Sequence, residues 1–153
     1  MTLHDRAVAA LERGGRRELA GDRAAGRVLE LDAPFETLPG DAAALDTVVC
    51  RFVLCRVADV AVALAEIHRV LAPGGQLLFV EHGPARSHAV AALQRAAAPA
   101  WARVTGGCRL DRDTIGALRA NRFVVDECER LAPLGGPTAG MIVRGRAIKR
   151  SGS

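Results

Sequence analysis

Apolar and polar residues follow two different periods through the middle of this chain, and the change of period marks its elements. Thr47-Val48-Val49-Cys50, preceded by Asp46, is a β-branched apolar run too short for a helix, which predicts a buried strand. From Asp59 the period lengthens: Val60, Leu64, Ile67 and Leu71 recur at spacings of four, three and four on one helical face, with Asp59 as the cap. The helix is expected to stop at Ala72, because Pro73 disfavours helical dihedrals in the residue before it and Gly74-Gly75 turns freely. Gln76 to Val80 then reads as a second buried strand. Strand, helix and strand in that order form a crossover between parallel strands, so the fold class is α/β.

The flanks carry weaker periods. Residues 2–25, rich in Ala, Arg and Glu, start a helical stripe at Val8 and Leu11 that Gly14-Gly15 interrupts. Each interior glycine costs about 1 kcal/mol relative to alanine, so two short helices or one broken helix are expected. Gly26 closes that region, Arg27 to Leu31 reads as a strand, and Asp32 to Pro39 as a loop. Beyond Glu81, His82-Gly83-Pro84 reads as a loop entering a helix from about Ala85, with Val90, Leu93, Ala97 and Trp101 on one side and Pro99 kinking or ending it. Thr105 to Cys108 is a turn, Asp111 or Asp113 caps a short helix carrying Ile115 and Leu118, and Asn121 is assigned the left-handed helix end. Phe123-Val124-Val125 opens a strand, Leu131 to Ala139 is a loop, and Met141 to Ile148 is the last, antiparallel strand.

Composition narrows the class. A chain of 153 residues with 50% hydrophobic and 25% charged residues describes one soluble globular domain. No apolar run approaches the roughly 20 residues that span a bilayer, and Met1 to Arg6 lacks a signal-peptide core, so a cytoplasmic protein with no membrane span is expected. The net charge is +4, yet the arginines are dispersed among carboxylates and aromatics make up only 3%, too few for base-stacking platforms; no nucleic-acid partner is expected. Cys50, Cys55, Cys108 and Cys128 show no CxxC or Cys/His ligand spacing. Neither a metal site nor a disulfide framework is signalled, and buried free thiols are the expectation.

The stretch LDTVVC with RVLAPGGQLLFVEH resembles the fourth- and fifth-strand motifs of class I methyltransferases that use S-adenosylmethionine. WARVTGGCRLDRDTIGALRANRFVVDECER is similar to the continuation found in the small methyltransferase-like group that includes thiol methyltransferases. The resemblance implies a truncated Rossmann-like sheet with helices on both faces and an antiparallel last strand. It divides the chain into a helical segment at 1–25, a partial methyltransferase domain at 26–149 and a disordered tail at 150–153. Two alignments compete for GRVLELDAPFETLP: a first strand before a glycine-rich loop, or a third strand whose Asp-Ala pair meets adenine. The second is favoured by Asp32, Ala33, Leu38 and Pro39. Under either, the glycine-rich loop and the acidic residue that binds ribose are absent, and the cofactor is expected to bind weakly or not at all.

In sheets of this class ligands sit outside the carboxyl ends of the strands. The resemblance therefore places Asp32 and Ala33 at the adenine and Cys50, Arg51 and Phe52 at the methionine moiety. His82 is the candidate base for the acceptor, with Glu81 orienting it or holding polar substrate groups. Asp32 read alone is a loop aspartate bonding its own backbone, and His82 a turn residue. Cys108 reads alone as an inert buried thiol. The function implied is methyl transfer to a small molecule, with a thiol as the candidate acceptor and a homodimer or complementing subunit as partner. Its alternative is a non-catalytic protein of the same fold.

Overall fold

Alternation along the central strands decides the layering. In the computed structural model, which describes residues 23–131 and 141–152, Leu77 and Phe79 face one side of the sheet while Leu78, Val80 and His82 face the other. The strands are β1 (Val28–Leu31), β2 (Leu45–Arg51), β3 (Leu71–Gly83), β4 (Phe123–Leu131) and β5 (Met141–Lys149). They form one sheet in the order β1-β2-β3-β5-β4. β1, β2 and β3 run parallel, and β5 lies antiparallel between β3 and β4. Helices α1 (Val60–Val70) and α3 (Thr114–Ala120) supply Leu64, Ile67, Ile115 and Leu118 to the core on the Leu77 and Phe79 side. On the opposite side, Trp101 of α2 (His88–Thr105) packs against Val80 and Ile142. Helices cover both faces, as expected.

Local chemistry explains the boundaries. Asp59 caps α1, its carboxylate accepting from the amides of Ala61 and Val62 at 2.8 and 3.2 Å. α1 ends at Val70, two residues before the expected Ala72, because Leu71 already pairs with Leu45 of β2. β1 pairs with β2 over its whole length, Leu31 beside Cys50. It therefore fills the place next to the fourth-strand motif, whichever alignment its sequence follows.

Three expectations are corrected. His82 and Gly83 are strand residues rather than a loop, since β5 is long enough to pair them with Ile142 and Met141. Pro99 lies inside α2 without ending it; left-handed Gly106 (φ 70°) supplies the stop. Asn121 does not take the left-handed conformation, because its backbone and side-chain amides stay bonded to the Ala117 carbonyl at 3.1 and 2.8 Å. The reversal falls on Arg122 (φ 67°), a position that tolerates a side chain only with strain. Asp113, rather than Asp111, caps α3 through the Gly116 amide. The helical expectation for 2–25 falls almost wholly outside the described residues, as does the loop expected from 131 to 139. Arg150 still bonds to the Arg122 carbonyl, and Ser151 and Gly152 belong to no helix or strand.

Candidate functional site

The chain leaves β2 through Phe52, whose left-handed backbone (φ 53°) is unusual for an aromatic residue. Its amide donates to the Val80 carbonyl at 2.8 Å, which ties the turn to β3. Beyond it the amides of Val53, Leu54 and Cys55 converge on the Glu81 carboxylate at 3.0, 2.9 and 3.1 Å. Glu81 is fully buried. Burial pushes its carboxyl above the usual range, and the three amides pull the other way. From outside, Arg112 donates to the Leu54 and Val57 carbonyls at 2.6 and 2.7 Å, and the Arg109 amide to the Cys55 carbonyl. The Phe52–Val57 loop is thus held from both sides.

This bracing brings three distant residues together. His82 Nδ1 lies 3.2 Å from Cys108 Sγ and 3.7 Å from Cys55 Sγ, and the two sulfurs are 3.5 Å apart. All three side chains are buried. Left-handed Gly106 and Gly107 turn the chain after α2 so that Cys108 enters the cluster. The Phe52 ring rests on the imidazole with centroids 4.7 Å apart, and Phe52, Cys55 and Cys108 share an apolar cluster with Val80, Leu110 and Ile142, against which Trp101 packs. The contact with Cys108, then burial, push the Cys55 thiol well up, so the uncharged form is favoured.

The residues singled out by sequence separate into two groups. Phe52, Glu81 and His82 share the braced region, but the Glu81 carboxylate is engaged by the loop amides rather than by His82. Asp32 and Ala33 are exposed beyond β1, and Asp32 makes no hydrogen bond or ion pair among the described residues. Cys50 points into the core with no exposure, and Arg51 pairs with Glu30 at 2.8 Å. The grouping of Cys55 and Cys108 with His82 was missed, because the three are separated by 27 and 26 residues and no ligand spacing appears along the chain. The only sequence signal was the Gly-Gly before Cys108.

Residues 5–79 match the family model described as a methyltransferase domain. The chain is 36% identical over 107 residues to thiol S-methyltransferase TMT1B of Rattus norvegicus, covering 69% of this chain and 44% of that protein. The chain resembles the methyltransferase family in sequence over these residues, and its sheet has the fold of solved methyltransferases. Human thiol S-methyltransferase TMT1A is 35% identical over 107 residues, again across 69% of this chain and 44% of its own. The chain thus spans about half the length of these curated relatives. A methyltransferase from Methanosarcina mazei dependent on S-adenosylmethionine shares the fold with TM-score 0.57 at 19% identity, over 75% of this chain and 64% of that one. Among described residues no helix is long and apolar enough to cross a membrane.

S-adenosylmethionine is the cofactor of this family. At the carboxyl end of β1, Asp32 has a carboxylate with no hydrogen bond or ion pair among the described residues, beside Ala33. No described glycine turn follows β1 to approach the methionine end, since Asp32-Ala33-Pro34 occupies that position.

Proposed function

We propose that the protein transfers a methyl group to a small thiol, with the acceptor at the carboxyl end of β3. The observation that carries this reading is His82, a buried imidazole against Phe52 of the apolar cluster at that strand end, in a chain similar to thiol S-methyltransferases. The cofactor supplies a methyl already activated on a sulfonium, so the chain's task is to hold and deprotonate the acceptor. Apolar surroundings disfavour an unassisted thiolate, and a base there has the most to contribute. We assign the base role to the His82 imidazole, whose Nδ1 faces the two thiols. Glu81 acts as a positioning residue by fixing the loop that carries Cys55 and Phe52.

Asp32 accepts from the adenine amino group, Ala33 meets the ring edge, and the Cys50–Phe52 turn borders the methionine end. β1 is the edge strand among the described residues, and a complementing subunit that brings a glycine-rich turn would dock there. The buried thiols suit the reducing cytoplasm.

The test is cofactor consumption with a panel of thiols, phenols and amines. Thiols should react fastest. His82→Ala should lower turnover by roughly a hundredfold or more, and the loss should shrink at high pH, where the acceptor ionises unaided. An active chain whose pH profile is the same with and without His82 overturns the base assignment. A folded chain inert with every acceptor overturns the catalytic reading.

A further inference from the structure

We propose that Cys55, His82 and Cys108 form a divalent transition-metal site of the kind zinc fills, with a fourth position open to a thiol. The donor set is two thiols and one imidazole nitrogen, the types that select zinc over oxygen-seeking cations. Zinc bonds to sulfur at about 2.3 Å and to nitrogen at about 2.0–2.1 Å, so tetrahedral angles put two sulfurs about 3.8 Å apart and sulfur and nitrogen about 3.6 Å apart. The observed separations are 3.5 Å between sulfurs and 3.2 and 3.7 Å from each sulfur to Nδ1. Adjustments of a few tenths of an ångström would seat the ion. A disulfide requires a much larger closure, to about 2.05 Å.

Charge and bracing support the same site. Two thiolates would balance a divalent cation, which removes the cost of burying either sign alone. Binding would release one proton from each thiol. The groups that orient the ligands are already in place: the Cys55 amide is fixed on Glu81, its carbonyl receives the Arg109 amide, and Phe52 covers the imidazole. No fourth His, Cys, Asp or Glu among the described residues joins the three within 4.8 Å. Three protein ligands are the number that a catalytic zinc site uses, with water or substrate in the fourth position.

The identity of the fourth ligand rests on the thiol-methyltransferase reading; the metal site does not. An acceptor thiol would form a sulfur–metal bond and lose its proton to solvent, leaving a bound thiolate. Ligation through Nδ1 keeps a proton on Nε2, so the base role proposed above belongs to the metal-free protein. Once the metal is bound it is the metal that ionises the acceptor, and His82→Ala then acts through loss of the metal.

The full chain, expressed with zinc and purified with its thiols reduced, should carry one zinc per chain. Exchanged for cobalt, it should show a thiolate-to-cobalt charge-transfer band and the visible bands of a tetrahedral ion. Added 2-mercaptoethanol should shift those bands. Cys55→Ser and Cys108→Ser should each weaken cobalt binding by at least the roughly 10- to 100-fold that loss of an outer-shell partner costs, and Cys128→Ser, at an exposed position, should not. A reduced wild-type chain that binds neither zinc nor cobalt overturns the site, and so does binding unaltered in the Cys55→Ser/Cys108→Ser double variant. A spectrum indifferent to 2-mercaptoethanol overturns the open position. None of these readings needs turnover, so a cobalt-loaded but inactive chain would refute the methyltransferase reading alone.

Discussion

The carboxyl ends of β1 and β3 belong to one sheet and are built in opposite ways. Beyond β1, Asp32 and Ala33 are exposed, and Asp32 makes no hydrogen bond or ion pair among the described residues. At β3, Glu81 and His82 are buried, and Glu81 accepts three backbone amides. The second end is shaped by folding itself, whereas the first is held by no side-chain partner of Asp32 among the described residues. Stability and cofactor affinity should therefore separate cleanly between the two.

The largest expected effect is at the braced end. Glu81→Gln replaces one acceptor oxygen by a donor facing backbone amides, and should lower unfolding free energy by about 3 kcal/mol in urea denaturation. A loss below about 0.5 kcal/mol would show that the loop is held without it. Next is Arg112→Ala, which removes the donors to the Leu54 and Val57 carbonyls; a loss of about 2 kcal/mol is expected in the same measurement. At the open end, Asp32→Ala should change stability by less than about 0.5 kcal/mol while weakening S-adenosylmethionine binding in calorimetry. Equal effects on stability and affinity would erase the contrast.

The smallest effect concerns pH. Arg69, and then the Leu38 amide, hold the Glu66 carboxyl below its ordinary value of 4.5. A depressed folded value means that the native state prefers the ionised form, so the stabilisation is present above the ordinary value and is lost as pH falls through the folded one. Glu66→Gln should flatten the acid limb of a stability–pH curve below about pH 4.5 and leave the neutral region less affected. An unchanged acid limb would place that sensitivity on another carboxylate.

Much of the frame was legible because it depends on short-range pattern. β2, α1 and the Gln76 to Val80 part of β3 follow from period and punctuation within Leu45 to Glu81, whereas the start of β3 at Leu71 does not. Errors arose where a neighbour overrode local preference. Pairing with β5 extended β3 through His82 and Gly83, and side-chain bonding at Asn121 passed the left-handed turn to Arg122. For the site, the position of His82 at a strand end was readable, but the engagement of Glu81 by the Val53–Cys55 amides was not.

The sequence by itself determined the α/β crossover, the two carboxyl ends at which chemistry can occur, and the lack of a glycine turn after β1. Those features are written in periods of two and 3.6 residues and in the residue types at the breaks. Only the tertiary structure decided that Cys55, His82 and Cys108 meet. Each comes from a different segment, and their meeting depends on left-handed turns at Phe52 and Gly106-Gly107 and on a buried carboxylate that gathers a loop. No local period encodes contacts between residues 26 and 53 positions apart, because they follow from how the sheet and its loops pack.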